Sequence, residues 1–294
     1  MISRAMFYLN QNKPTIYEAA AVCAEQCAAH GIEPVFFASD REAIARNMPQ
    51  WAQRATYMER PEPGRIDLLI VFGGDGTVLS AIDQYVCDAI PIWGINLGRL
   101  GFLLETQTQE LPAALDMLVS GQYQIERRMV LHVHGICDGR KIEAYATNEV
   151  SISRGLSQRM IALDAFVGDT LVDHYIADGV VVASPTGSTA YSLSAGGPIV
   201  SPDVCCFVLN PICPHSLQSR PIVLSGQERV ALRLNMKEMR EGIQLSVDGQ
   251  AICEMRNHEQ IWVSRSKQDA LLIRFPKERN FFSLLKDKLS QWSL

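Results

Sequence analysis

The feature that most constrains this chain is a strand that ends in glycine. Asp67–Phe72 (DLLIVF) reads as a fully apolar strand running straight into Gly73-Gly74-Asp75-Gly76-Thr77, after which Val78–Val86 takes helical spacing. A strand with no polar face must be covered on both sides, and the usual solution is a parallel sheet between helices. The segments around it agree. Ala5–Leu9 reads as a strand, Tyr17–His30 as a helix whose Ala19, Ala20, Val22, Cys23 and Cys27 form an apolar stripe ending at Gly31, Pro34–Ala38 as a second strand, and Ile90–Ile95 as another, closed by Asn96 and Gly98.

From about Gly121 the period changes to two. Met129–Gly135, Lys141–Tyr145, Glu149–Ser153, Met160–Val167, Thr170–Tyr175 and Gly179–Ser184 read as strands rich in β-branched residues, separated by turns such as Asp138-Gly139 and Gly168-Asp169. Arg229–Leu234, Ile243–Val247, Ile261–Ser264 and Ala270–Arg274 continue the pattern. Many strands at short spacing predict a layered or sandwich domain. The tail Asn280–Leu294 turns helical again, with Phe282, Leu284, Leu285, Leu289 and Trp292, and is expected to pack back on the first domain. The expected class is therefore α/β: a Rossmann-like parallel α/β domain over residues 1–120, joined by tail residues 276–294, and a β-rich domain over 121–275.

Composition limits the function classes. At 294 residues, 47% hydrophobic and 20% charged, the chain can bury sizeable cores and is not a disordered or fibrous sequence. A formal charge of -5 argues against a general nucleic-acid binder held by phosphate charge. The eight cysteines form no CxxC pair and are expected to be reduced, mostly buried thiols. The opening MISRAMFYLNQNK lacks the apolar core of a signal peptide, and no apolar run approaches the ~20 residues of a membrane span. A cytoplasmic location follows as the expectation.

The glycine turn is the first place where chemistry is legible. Three glycines let backbone N–H groups approach a phosphate, and the following helix adds its positive end. Two familiar phosphate motifs fail: GxxxxGK[ST] is missing, and Gly74-x-Gly76 continues to Leu79 where a dinucleotide fingerprint wants Gly or Ala. A carboxylate inside such a cradle is electrostatically costly. Asp75 therefore reads as the acceptor of a proton from an attacking hydroxyl, against the plainer alternative that Asp-Gly fills a tight turn.

Two further clusters point to a nucleotide. Asp178-Gly179 is followed by Ser184–Pro198 (SPTGSTAYSLSAGGP), where Thr186, Thr189 and Ser194 supply hydroxyls and Tyr191 an aromatic face. There is no GxSxG elbow, so a serine hydrolase is discounted, while a Ser/Thr-capped helix near Ser188 is compatible with either reading. Asn148-Glu149 opens a strand with an amide that can read a base edge and a carboxylate that can hold a ribose diol; an exposed strand edge explains the pair equally well. In Val247-Asp248-Gly249-Gln250 the Asp-Gly reads as an ordinary hairpin turn, after which Gln250 could face a ligand. His132 and His134 share one strand face, too few for a metal site, and His215 lies in a proline-stiffened loop, Pro211-Ile212-Cys213-Pro214-His215.

Taken together, Gly73–Thr77, Gly94-Ile95-Asn96-Leu97-Gly98-Arg99-Leu100-Gly101-Phe102-Leu103, Asn148-Glu149, Asp178-Gly179, Ser184–Pro198, Pro214-His215 and Arg220-Pro221 closely resemble the bacterial NAD kinases. The GGDGT element alone is shared with diacylglycerol and sphingosine kinases; the Asn-Glu pair with TGSTAYSLSAGGP is more specific. The resemblance implies Mg²⁺-dependent transfer of the γ-phosphoryl of ATP to the 2′-hydroxyl of the adenosine ribose of NAD, giving NADP. Under it Asp75 is the proton acceptor, and Gly73, Gly74, Gly76 and Thr77 shape the phosphate site. The dinucleotide is bound by Asp75, Gly76, Asn148, Glu149, Asp178, Thr186, Thr189, Ala190, Tyr191 and Ser194, with Phe102 against the adenine and Arg159 and Gln250 as further contacts. No side-chain metal motif is expected, since Mg²⁺ arrives with ATP. The resemblance also implies a homodimer or homotetramer with small-molecule substrates and no nucleic-acid or membrane partner. Many of these kinases carry arginine where this chain has Ser80. A lipid kinase of the same superfamily and a catalytically silent dinucleotide sensor are the alternatives.

Overall fold

The computed structural model describes residues 2–10, 15–98, 101–155, 159–236, 242–276 and 280–291. Arg99, Leu100 and Trp292 lie outside the described residues. The chain divides into two compact units, Met1–Arg127 with Ala270–Leu294, and Arg128–Asp269.

The first unit begins with β1 (Arg4–Leu9), α1 (Ile16–Ala29), β2 (Glu33–Phe37), α2 (Arg41–Asn47), β3 (Thr56–Met58), β4 (Leu68–Gly73), α3 (Asp75–Tyr85), β5 (Ile92–Asn96), the short β6 (Thr106–Gln107), α4 (Leu111–Val119) and β7 (Gln124–Arg128). The second unit follows with β8 (Leu131–Cys137), β9 (Arg140–Ala146), β10 (Glu149–Ser153), β11 (Ile161–Val167), β12 (Thr170–Ala177), β13 (Gly179–Ala183), the single turn α5 (Tyr191–Ser194), β14 (Cys206–Ile212), β15 (Ile222–Ser225), β16 (Val230–Leu234), β17 (Gln244–Val247), β18 (Gln250–Glu254) and β19 (Gln260–Arg265). The chain then returns to the first unit with β20 (Ala270–Arg274) and α6 (Phe281–Gln291).

In the first unit the strands lie in the order β3-β2-β1-β4-β5-β20-β7, with β6 beside β5. β1 pairs in parallel with both β2 and β4, and β4 with β5. Strand order reverses between β1 and β4, so the carboxyl end of β4 sits at a topological switch point, where open α/β sheets bind ligands. All six residues of β4 are buried, as its unbroken apolar run requires. Phe72 stacks on Phe7 at 5.5 Å and Phe36 packs against Phe7 at a tilt, 5.0 Å away, which locks the three central strands together. The tail helix α6 brings Phe281 to 6.0 Å from Phe102 within the same unit.

The second unit holds two six-stranded antiparallel sheets, β15-β14-β13-β10-β17-β18 and β12-β11-β16-β19-β8-β9. Val150, Ile152, Val180, Val182, Phe207 and Leu209 of the first meet Leu131, Val133, Leu163, Leu232 and Val263 of the second in one buried core. β13 (GVVVA) is buried on both faces, because Val181, Ala183 and Val208 pack on its other side with Ala195 and Val200 of the segment that follows. This is the physical reason that it reads as a continuous apolar run rather than an alternating one.

Several expectations need correction. The helix after β4 starts at Asp75 rather than Val78, since Gly74 is already its N-cap. Pro211 and Ile212 belong to β14, opposite Val180 and Gly179, so the proline-stiffened loop begins only at Cys213. No long helix starts at Ser188: Thr186–Thr189 form a 3₁₀ turn, and Ser188 Oγ donates to Pro185 O (2.6 Å) and accepts the Val200 N–H (2.9 Å) instead of capping. Cys137 and Cys253 form a disulfide, and of the free cysteines Cys87, Cys205 and Cys213 are exposed. Their spacing of 116 residues gave no sign of proximity; β8 and β18 bring them together from opposite sheets. No helix among the described residues is long and apolar enough to cross a membrane.

Candidate active site

In the first unit, Gly73 is the last residue of β4, opposite Asn96 of β5, and its carbonyl accepts the Leu97 N–H at 3.0 Å. Gly74 caps α3, and Asp75, Gly76 and Thr77 make its first turn, Asp75 half-buried and Gly76 exposed. A carboxylate in the first turn of a helix is stabilised by the helix dipole, which offsets part of the cost of placing it beside phosphates. Asp75 is further fixed by the loop after β5: its carboxylate accepts the N–H of Phe102 (2.8 Å) and of Leu103 (3.2 Å). Two of its ~four lone-pair directions remain for a ligand. A Cβ on Gly101 would overlap that carboxylate, so this position admits only glycine if Asp75 is to keep its place. Thr77 Oγ1 accepts from Asn10 Nδ2 (3.2 Å), tying the turn to the end of β1. Ser80 Oγ donates to Gly76 O (3.1 Å) on the same helix. A cavity of about 540 Å³ opens beside Asn96 and Gly98, lined also by Thr15, Glu18 and Gln107.

In the second unit the chain turns at Thr147–Glu149 into β10. Glu149 is only 5% exposed and lies on an interior strand between β13 and β17, which removes the exposed-edge reading of the pair. The turn is gripped from two sides. Asp248 accepts the N–H groups of Thr147 (2.9 Å), Asn148 (2.7 Å) and Glu149 (3.1 Å), and its own N–H donates to Glu149 O (2.9 Å). From the other side the Ser184 N–H donates to Asn148 O (2.8 Å) and Ser184 Oγ to Thr147 O. A Cβ on Gly187 would overlap the Asn148 backbone, so the TGST segment lies directly on this turn.

Glu149 is electrostatically unusual. Burial first, and the facing Asp248 carboxylate second, push its carboxyl up to about 7, while the Tyr191 N–H pulls it partly back. Its Oε2 is buried with no hydrogen-bond partner among the described residues. A buried acceptor without a donor costs roughly 1–3 kcal/mol and marks a place where a ligand hydroxyl fits. Tyr191, whose backbone N–H reaches the Glu149 carboxyl, is itself 41% exposed. Burial raises its phenol, and Cys213, Asp178 and Glu149 add to the rise.

The remaining expected residues fall around this turn or apart from it. Thr186 is buried, with its Oγ1 3.4 Å from Arg128, and Thr189 Oγ1 donates to Thr186 O (3.1 Å). Ala190 links the 3₁₀ turn to α5, and Ser194 lies exposed at the end of α5. Asp178 is bound to Arg154 in an ion pair of 2.9 Å, a partner the sequence reading did not name. Arg159 is exposed before β11, and Gln250 is exposed at the start of β18. The second unit therefore brings together Asn148, Glu149, Thr186, Thr189, Ala190 and Tyr191, and adds Asp248, Ser184 and Gly187. Only the Asp-Gly pair could have signalled Asp248, and it reads as a turn.

Comparison with known proteins decides the family. The ATP-NAD kinase N-terminal domain model matches residues 6–123, and the ATP-NAD kinase C-terminal domain model matches residues 147–275. The chain belongs to the ATP-NAD kinase family. An NAD kinase of Thermoanaerobacter sp. (strain X514) is 36% identical over 285 residues, covering 96% of this chain and 97% of its own. The NAD kinase of Desulforamulus reducens is 42% identical over 227 residues, covering 77% of this chain and 78% of its own. Among solved structures, yeast NADH kinase complexed with NADH superposes with a TM-score of 0.86 at 26% identity, covering 98% of this chain and 88% of that one. The Asp75 turn lies in the segment matched by the N-terminal domain model, and the turn at Thr147–Glu149 lies at the very start of the segment matched by the C-terminal one.

Proposed function

We propose that this chain is an NAD kinase that transfers the γ-phosphoryl of ATP to the 2′-hydroxyl of the adenosine ribose of NAD. The observation that carries the reading is the orphaned Oε2 of Glu149. A ribose diol has a hydroxyl for such an acceptor besides the one that attacks, whereas diacylglycerol has a single free hydroxyl, the attacking one. This favours a dinucleotide over a diacylglycerol acceptor.

Each group then has a task. Asp75, held by two backbone N–H groups, accepts the hydrogen bond and then the proton of the attacking hydroxyl. The first turn of α3, with Gly76 and Thr77, faces the transferred phosphoryl with its positive end. Phosphoryl transfer needs positioning and charge neutralisation more than covalent chemistry, and the backbone of Gly73–Thr77 supplies the first. Asn148 and Glu149 orient the ribose, while Tyr191 and Phe102 offer ring faces to the bases, with Thr186, Thr189, Ala190, Ser194, Asp178, Arg159 and Gln250 as further contacts.

The described residues contain no group of three or more His, Cys, Asp or Glu side chains arranged to hold a metal ion. The divalent cation would arrive chelated by the donor triphosphate, which leaves Asp75, the carboxylate at the phosphate turn, to act as the proton acceptor. When bound with ATP, Mg²⁺ would neutralise charge on the β- and γ-phosphates. ATP and NAD are solutes of the cytoplasm, where we place the enzyme; its association as a homodimer or homotetramer is read by light scattering.

The test is NADP formation from NAD, ATP and Mg²⁺, run beside diacylglycerol as acceptor. The Asp75→Asn variant is expected to lose ~10²–10⁴-fold in turnover while still binding NAD. Near-normal turnover would remove Asp75 from the mechanism. Dinucleotide binding by the parent chain without any NADP would leave a silent sensor, and diacylglycerol phosphorylation a lipid kinase.

A further inference from the structure

We propose that Asp248 is a positioning residue of the dinucleotide site: its carboxylate clamps the backbone of Thr147, Asn148 and Glu149 and so aims the Asn148 and Glu149 side chains at the ligand. The proposal rests on the reading that Glu149 meets a ribose hydroxyl.

The hairpin between β17 and β18 does not by itself call for a carboxylate. Asp248 and Gly249 both have positive φ, 47° and 76°, as a two-residue turn of this kind requires. Asparagine or glycine at the first position meets that requirement equally well. What those residues cannot do is receive three N–H groups. An ionised aspartate is acceptor-only, with two oxygens: Oδ1 takes Asn148 and Glu149, and Oδ2 takes Thr147. An asparagine amide has a single acceptor oxygen, and its NH₂ would confront one of the donors.

The clamp also explains how an unfavourable carboxyl is tolerated where it is needed. Glu149 is faced by Asp248 from the β17–β18 turn and by the N–H and phenol of Tyr191 from α5. The strands on either side of it, β13 (GVVVA) and β17 (QLSV), carry no titratable side chain. Asp248 is thus the one facing carboxylate among the described residues on these elements. It fixes the direction of Glu149 through the backbone and keeps its carboxyl high through charge, so that a hydroxyl donor gains more by binding there than at a solvated acid.

The experiment uses two variants of the full chain. Asp248→Asn keeps the turn and the size; Asp248→Gly keeps the turn and removes the side chain. Steady-state kinetics with NAD is measured together with the titration of Glu149 by carboxyl-carbon NMR on the ligand-free protein, which needs no activity. Expected are a KM for NAD raised about tenfold or more in both variants with kcat within about twofold, and a Glu149 midpoint lower than in the parent. Unchanged KM and midpoint overturn the proposal, as does a fall in kcat at constant KM. Unfolding of both variants also overturns it, because Asp248 is then a folding residue. If the parent turns over no NAD but the midpoint still moves, the function reading fails while the clamp on Glu149 stands.

Discussion

Glu149→Gln gives a prediction whose size follows from the burial of one carboxyl. In the folded chain that carboxyl sits at about 7, against an ordinary value of 4.5. The native state therefore keeps a proton that the unfolded chain releases, and stability falls as pH rises through that window. At ~1.4 kcal/mol per pH unit the gap amounts to a cost of about 3 kcal/mol, fully developed above pH ~7 and absent below pH ~4.5. Glutamine keeps the volume and an oxygen for the Tyr191 N–H but carries no charge. At pH 8 the variant is thus expected to be more stable than the parent, by an amount approaching ~3 kcal/mol, while at pH 5 the two agree within ~1 kcal/mol. Urea unfolding of both proteins at the two pH values, with equal m-values as the check on a common transition, measures the difference. The same variant should bind NAD more weakly at pH 8, because a carboxylate acceptor for the ribose has been replaced by a neutral amide. A stability difference that does not change with pH, or a variant less stable at pH 8, would refute the claim that this buried group is held against its ionisation. A site that is destabilising when empty and useful when filled is the expected signature of function over stability.

Two further outcomes are accessible with simple measurements. Gly101→Ala puts a methyl group into the Asp75 carboxylate; kcat is expected to fall by about 10²-fold with NAD affinity little changed, since a ~1 Å displacement of a reacting group has effects of that order. Unaltered kcat would mean that Asp75 does not need the position it occupies. Thiol titration of the unreduced, denatured chain should count six free cysteines rather than eight, and Cys253→Ser should lower the unfolding free energy by ~2–5 kcal/mol. Eight reactive thiols would contradict the Cys137–Cys253 bond.

The local order of the first unit was legible because each signal is short-range. A short apolar run bounded by turn residues fits a strand buried on both faces, and the glycines after it fit a turn into a helix, so β4 and the presence of a following helix were legible from neighbouring residues, while the start of α3 at Asp75 rather than Val78 was not. The alternation of the second unit likewise announced sandwich strands, and Glu149–Ser153 falls where the pattern puts it, whereas Ala270–Arg274, read as one more of those strands, lies between β5 and β7 in the sheet of the first unit. What the tertiary structure decided is everything that depends on distant residues meeting. Asp248 reaches Asn148 across 100 positions, Phe102 and Leu103 reach Asp75 across 27 and 28, and Cys137 reaches Cys253 across 116. No periodicity encodes such pairs, because they arise from strand order and register and not from the spacing of side chains along one element. Asn148-Glu149 was for that reason ambiguous in sequence. Whether an acid is an exposed edge residue or a buried, unsatisfied acceptor depends on which strands lie on either side of it, and only the placement of β10 between β13 and β17 settled that.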